Sequence, residues 1–276
     1  MGETSVLSRR DAPAVQRLLD LRPIDNIAIA AKINLYGVDR MRLGNDLIGY
    51  WENGRLISFL SNGFSLTPVN ATEAALDAFA QRLEHRHCVS IIGVREEAMG
   101  LWQRLSLRSF TQWASPREVR DHQLVMAISN PPRVRSHPDV QVITTRNLDS
   151  YHAASVAMYT EEVGVAPMNP NGSYRDHVTH LMMLGLTYGV IQQGKVVFKA
   201  DVVADTAGIC QIGGVWLDQG LRHQGLSESF MAGVVSLCQE RFPTVSLYVN
   251  PFNLAAIACY RGVGFVKVSE CASILY

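Results

Sequence analysis

The stretch from Gly213 to Phe265 constrains the fold more than any other, because strand and helix signals alternate in it around a basic, glycine-bearing loop. Gly213-Gly214-Val215-Trp216-Leu217 has the apolar run of a buried strand, and Gln219 to Ser227 supplies the loop Gln-Gly-Leu-Arg-His-Gln-Gly-Leu-Ser. Phe230, Met231, Val234, Val235 and Cys238 then recur at helical spacing, which predicts a helix from about Glu228 to Arg241. Val245 to Val249 is the next strand. Asn250-Pro251-Phe252 turns the chain, Asn253 caps a short helix, and Gly264 stands where that helix must stop.

A loop that climbs off a strand into a helix points unpaired backbone N–H groups outward, where the helix dipole favours an anion. Arg222 and His223 add side-chain donors there, and Gly225 lets backbone approach a phosphate without a Cβ in the way. The loop is a candidate pyrophosphate cradle. It is neither a Walker loop, since no Gly-Lys-Ser/Thr follows, nor Gly-x-Gly-x-x-Gly. On the second helix Asn253, Ala256 and Tyr260 fall on one stripe, polar, then small, then phenolic.

Arg222-His223-Gln224-Gly225-Leu226-Ser227 resembles the Arg/Gln-x-x-Gly-x-Gly/Ala signature of the GNAT family of acetyl-CoA-dependent N-acetyltransferases, with Ser227 as a small departure. Asn253, Ala256, Tyr260, Gly264 and Phe265 match that family's Asn-x-x-Ala-x-x-x-Tyr-x-x-x-Gly-Phe run at every defined position. The resemblance implies an α/β acyl-CoA N-acyltransferase fold with a mixed sheet. Acetyl-CoA, the co-substrate, would lie where the Gly213–Leu217 and Val245–Val249 strands splay apart. Backbone groups of Val215, Trp216 and Leu217 would pair with its pantetheine arm, and the same N–H groups could stabilise the oxyanion. Arg222, His223, Gln224, Gly225, Leu226 and Ser227 would hold the pyrophosphate, flanked by Asn253 and Ala256. Tyr260 would protonate the departing thiolate; a phenol with a pKa of about 10 keeps its proton at neutral pH. A tyrosine without such a motif around it is usually a core residue.

The general base is less defined. An alkyl amine with a pKa of about 10.4 is almost wholly protonated near neutrality, so freeing it costs about 4 kcal/mol unless the site helps. The strand before the loop offers Gln211, Ile212 and Gly213 and no carboxylate. Glu161 and Glu162, expected in a loop after a helix, and Asp201 on a strand are the remaining acids; Glu162 is the choice, on the acceptor side that the resemblance implies. A water chain is the alternative. His177-x-x-His180 has metal-ligand spacing on a helix but no third ligand, so no metal is expected. Trp216 lies beside the pantetheine strand, but an indole in a sheet is more often a core residue.

The chain has 276 residues, 47% hydrophobic and 18% charged, with no net charge, which suits a globular protein of two domains and argues against a general nucleic-acid binder. Its five cysteines are scattered in apolar contexts, as reduced cytosolic thiols are. Without a leader pattern or a membrane-length apolar run, a cytoplasmic location away from membranes is expected. Residues 1–129 predict a helix from Asp11 to Leu21 and a hairpin around Glu52-Asn53-Gly54. A helix from about Ala71 to Arg86, a strand over Val89–Val94, a helix from Glu96 to Leu105 and a strand from His122 to Ser129 follow. That order echoes the second half and resembles a degenerate GNAT domain, as in tandem actinobacterial members. Thr67-Pro68-Val69-Asn70 stands where a phosphate loop would be, with neither the Arg-x-x-Gly nor the Asn-to-Tyr stripe.

Pro131, Pro132 and Pro138 mark residues 130–139 as a linker. The domain expected over residues 140–276 opens with a strand near Val140–Thr144 and helices from about Leu148 to Thr160 and Tyr174 to Leu184. A meander of Thr187–Gln192, Val196–Val203 and Ile209–Leu217 leads into the motifs. The expectation is an N-acetyltransferase, monomer or homodimer, acting in a ternary complex on a small-molecule or peptide amine. The alternatives are a silent acyl-CoA-binding regulator and a metabolic tandem acetyltransferase resembling mycothiol synthase.

Overall fold

A computed structural model describes residues 2–83, 88–108, 113–167 and 172–276. The chain divides into two compact units: Met1–Val125 with Tyr248–Phe252 and Lys267–Tyr276, and Met126–Leu247 with Asn253–Val266.

In the first unit β1 (Glu3–Val6), α1 (Ala12–Asp20), α2 (Ile27–Tyr36) and α3 (Arg40–Leu43) precede β2 (Asp46–Glu52) and β3 (Arg55–Asn62). Asn53 and Gly54 both take positive φ, 49° and 73°, closing the expected hairpin with the two-residue turn whose twist matches the strands. Then come β4 (Ser65–Val69), α4 (Glu73–Leu83), β5 (Ser90–Val94), α5 (Arg95–Arg108) and β6 (Glu118–Ile128). The expected end of α4 near Arg86 lies outside the described residues. The last strand of the chain, β12 (Val266–Leu275), pairs antiparallel with β5, Cys271 opposite Val94 and Leu275 opposite Ser90, giving the order β1-β2-β3-β4-β5-β12-β6. One core gathers Leu76 and Phe79 of α4 and Leu101 and Leu105 of α5 with Ala272 and Ile274 of β12; another packs Val15, Leu19 and Ile33 of α1 and α2 on Phe59 and Val69.

Two expectations change here. Thr67, Pro68 and Val69 belong to a strand, not to a loop: Pro68 lies opposite Leu60 of β3, and β4 meets β5 only at Ser65 and Leu66. The expected division was continuous, 1–129 and 140–276, whereas the structural units interleave, because Ala272 and Ile274 bury their side chains in the first unit's core.

The second unit contains β7 (Gln141–Val142), α6 (Leu148–Val163), α7 (Ser173–Met183), β8 (Thr187–Gln192), β9 (Lys195–Asp205), β10 (Ile209–Leu217), α8 (Ser227–Gln239), β11 (Thr244–Val249) and α9 (Leu254–Val263). Its sheet order is β11-β10-β9-β8-β7. Phe230 of α8 packs on Phe198 of β9, ring centroids 5.2 Å apart. Tyr151 and Ala154 of α6 and Val178 and Met182 of α7 form a second cluster with Ile143 and Val196. Residues 130–139 carry no helix, as their prolines dictate, but they are not a free tether. Arg133 N–H donates to Val263 O at 2.8 Å, His137 N–H to Ser229 O at 2.9 Å, and Gln239 Nε2 to Asn130 O at 3.0 Å. Backbone hydrogen bonds fasten this stretch together with the His137 ring, which packs edge-on against Phe230.

Glu97, at the start of α5, is buried, and its Oε2 accepts from Ala71 N–H at 3.0 Å while Arg22 stands 3.4 Å from Oε1. Burial dominates and pushes the carboxyl up to about 7; Ala71 N–H and Arg22 pull the other way. The folded state therefore keeps a proton that the unfolded chain releases near its usual carboxyl range. This group's contribution to stability is full below about pH 4.5, falls as pH rises to about 7, and is constant above it. The loss is on the order of 3 kcal/mol at most. Urea titrations at pH 5 and pH 8 check this: Glu97→Gln should lack most of the decline seen in the natural protein, and equal declines would place the proton elsewhere.

Candidate active site

The site is built around a defect in β10. Gly213 lies opposite Asp201 of β9, but Trp216 lies opposite Lys199, so Gly214 and Val215 together face the single residue Ala200. This is a β-bulge, which bends the strand and releases backbone groups from the ladder. On its other side β10 runs parallel to β11 only at Ile209, Cys210 and Gln211, opposite Thr244, Val245 and Ser246. Beyond Gln211 the two strands part. Gly214 has φ +56°, and a Cβ there would sit 2.5 Å from Asp201 Oδ2 and 2.9 Å from Lys199 Nζ. Only glycine meets both conditions.

Three buried side chains stand under the bulge. Lys199 has no exposed surface; its Nζ donates to Asp201 Oδ2 at 2.5 Å and to Gly214 O at 2.9 Å and lies 5.1 Å from the Tyr151 ring centre. The Tyr151 hydroxyl donates to Asp201 Oδ1, and burial together with the Asp201 charge holds that phenol well above its usual range. Asp201, one of the acids weighed as a base, has both oxygens engaged.

After Leu217 the chain turns through Gln219–Leu221, with Asp218 Oδ1 accepting Gly220 N–H at 2.8 Å. His223 and Gly225 take positive φ, 63° and 75°, and α8 begins at Ser227 with no capping side chain from Leu226. The first turn of α8 thus follows two left-handed residues and carries no side-chain cap. Gln224 Nε2 braces it on Gly220 O at 2.8 Å.

Arg222 has a different task from a free cation. Its Nε and Nη2 donate to Leu217 O at 3.0 and 2.9 Å, and Nη2 reaches Glu161 Oε2 at 2.6 Å. Glu161 also accepts from the Trp216 indole at 3.0 Å and Gln219 Nε2 at 3.4 Å, and although partial burial pushes its carboxyl up, these donors bring it down overall. Glu161 and Glu162 were expected in a loop; both lie on the last turn of α6, which Gly164 ends at φ +82°. Trp216, half-buried, packs against the cluster around Tyr151 and Met182 and donates its indole N–H to Glu161.

Asn253 caps α9, its Oδ1 accepting Ala256 N–H at 3.1 Å. Tyr260 is buried on the same stripe against Phe265. Burial, then Cys259, then the Glu162 charge push its phenol well above the ordinary range, so exposed Glu162 lies within electrostatic reach of Tyr260. The structure therefore brings Val215, Trp216, Leu217 and the loop from Arg222 to Ser227 onto one continuous segment, and Glu162 near Tyr260. Sequence reasoning missed Lys199 and Tyr151. Their signals were a Gly-Gly pair inside a strand, which marks a bulge, and a Lys and Asp two residues apart in an otherwise apolar strand. His177 and His180 are exposed on α7, and among the described residues no three His, Cys, Asp or Glu side chains gather as a metal site.

Solved structures share this architecture over the whole chain. An acetyltransferase of the GNAT family from Colwellia psychrerythraea matches with TM-score 0.63 at 14% identity, covering 99% of both chains. A tandem GNAT protein from the clavulanic acid biosynthesis pathway matches with TM-score 0.55 at 12% identity, over 100% of this chain and 98% of that one. The chain has the tandem GNAT fold. A GCN5-related N-acetyltransferase from Sphaerobacter thermophilus agrees, TM-score 0.60 at 16% identity, covering 99% of this chain and 94% of its own. In sequence, residues 45–151 match a family described as a domain of unknown function, DUF4081. No curated protein matches in sequence.

Gly214 and Gly225 should separate strain from crowding. A Cβ on Gly225 meets nothing within 4 Å, so Gly225→Ala bears only its positive φ, about 1 kcal/mol. Gly214→Ala adds collision with Asp201 and Lys199 and should cost roughly 3 kcal/mol or more. Denaturant midpoints of the two variants give the comparison, and equal losses would contradict the packing under the bulge.

Proposed function

We propose that this protein transfers the acetyl group of acetyl-CoA to a primary amine, by direct attack in a ternary complex held by the second unit. The observation that carries the reading is the parting of β10 from β11 beyond Gln211, followed at once by an uncapped helix N-terminus. An extended pantetheine arm fits beside the free edge of Val215 to Leu217, and a pyrophosphate fits the N–H groups from His223 to Ser227. Arg222 supports the loop through Leu217 O and Glu161, and Asn253 and Ala256 border the arm.

The balance of the reaction is simple. The amine nitrogen forms a bond to the acyl carbon, the carbon–sulfur bond breaks, the amine loses a proton and the thiolate gains one. Glu162 takes the amine proton, directly or through water. Tyr260, held protonated at every physiological pH, donates to the developing thiolate. With its phenol above the thiol's usual pKa of about 8.5, complete transfer from Tyr260 alone runs uphill, so solvent must return its proton within the same turnover. The first unit contributes no second donor site. There Thr72 Oγ1 already accepts Ala75 N–H at 3.2 Å, and the Glu97 carboxylate occupies Ala71 N–H, so the N-terminus of α4 is filled from within. Such a protein needs no metal and works as a soluble enzyme in the cytoplasm.

Calorimetry should give one acetyl-CoA per chain, with Gly225→Val weakening it at least tenfold in a folded protein. Two sites of similar affinity would reject the assignment of the first unit. Thiol detection of released CoA across a panel of amines and peptides tests the chemistry, and Tyr260→Phe should lower kcat roughly 10²-fold with little change in acetyl-CoA affinity. Tight binding without amine-dependent release would make the protein an acyl-CoA-binding regulator instead.

A further inference from the structure

We infer that Lys199 is a positioning residue for acyl transfer: by holding the Gly214 carbonyl inward, it sets the orientation of the Val215–Trp216 backbone against the donor thioester. The inference rests on the acyltransferase reading above. Three observations lead to it. The bulge leaves Gly214 and Val215 opposite one residue, so the Gly214 carbonyl has lost its strand partner. Lys199 Nζ supplies that partner at 2.9 Å from a position with no exposure to water. Its charge is balanced on the spot by Asp201, which Tyr151 of α6 fixes from the other side.

A chain of contacts thus runs from α6 through Tyr151, Asp201 and Lys199 to one carbonyl of β10. Tyr151 also reaches Ala200 O at 3.3 Å, the residue directly under the bulge. A buried ion pair is weak evidence of a stabilising role, because apolar residues of equal volume commonly serve stability as well or better. What apolar residues cannot do is aim a peptide plane. Turning the Gly214 carbonyl toward the cleft would rotate the Val215 N–H, which shares its peptide plane, and a donor in an oxyanion site acts only where the oxygen's charge develops. Gly214 is the hinge that makes the inward turn possible, and Lys199 is what holds it there.

The test uses the full chain and two variants. Lys199→Met with Asp201→Asn removes the donor without leaving a buried carboxylate unpaired, and Lys199→Arg keeps a cation. Amide hydrogen exchange at Val215 and Trp216 needs no ligand: the double variant should exchange at least tenfold faster there while β8 amides are unchanged. With acetyl-CoA and the best amine of the panel, the double variant should keep acetyl-CoA affinity within threefold and lose about 10²-fold in kcat, with partial recovery in Lys199→Arg. Unchanged exchange, unchanged kcat, or affinity and kcat falling together would each overturn the role of Lys199. If the natural protein itself neither binds acetyl-CoA nor releases CoA, the acyltransferase reading fails, and exchange alone decides whether Lys199 governs the bulge.

Discussion

A carbonyl expelled from its ladder inside a protein must find a donor, and in β10 that donor is Lys199. The course of β10 beyond Gln211 depends on this one exchange. Without the bulge, β10 would run straight, and the segment from Val215 to Leu217 would have no reason to leave the sheet with backbone groups to spare. Because the bulge is held from below by a buried cation, the strand bends at a fixed place, and the loop that follows starts from a fixed direction. Glu161 repeats the logic at the far end of the same segment. It collects Trp216, Gln219 and Arg222, so both ends of the segment from the bulge to the loop are tied to α6.

The two units show how one architecture can keep or close an anion site. In the first, α4 begins with a capping threonine and a neighbouring carboxylate on the N–H just before it. In the second, α8 begins bare, behind two residues with left-handed backbone. A helix dipole is present in both. Both helices carry an acid in the first turn, Glu73 and Glu228, so the difference lies in the side-chain cap that α4 has and α8 lacks.

Much of the fold was legible because its signals are local. Asn53-Gly54 and Gln193-Gly194 both close hairpins, and the Phe230-to-Cys238 periodicity gave α8 almost to the residue. The loop and the Tyr260 stripe were legible for the same reason. What escaped was set by distant partners. α2 is apolar nearly all round, so no stripe marks it, although Ile27, Ile29, Ala30 and Ile33 are buried. β12 hides behind serines and a glutamate; Ser273 is buried because it donates to Gln123 Oε1 at 2.7 Å, a partner 150 residues away. Thr67 to Asn70 stand in sequence where a phosphate loop would be, yet β4 runs through Pro68, where pairing with β5 has already ended. Asp201 was weighed as a base and Lys199 passed over, since nothing in their own strand announces that Tyr151 and Gly214 wait on either side. Arg222 was placed correctly in the loop, but its partner Glu161 lies 61 residues upstream, out of reach of any motif.

The pairing of β12 with β5 has a consequence for how the protein comes into being. Cys271 and Val94 are neighbours across a strand pair although most of the chain separates them. On a ribosome, β5 is made long before its partner, and its edge must wait, apolar and unpaired, through the synthesis of nearly the whole second unit. Closing a loop of that length costs about 5 kcal/mol in chain entropy, recovered only when the last strand arrives. The first unit is therefore begun before the second and completed only after it. A chain cut shortly before Val266 would retain every residue from Met1 to Val125 and still be left with an open, aggregation-prone sheet.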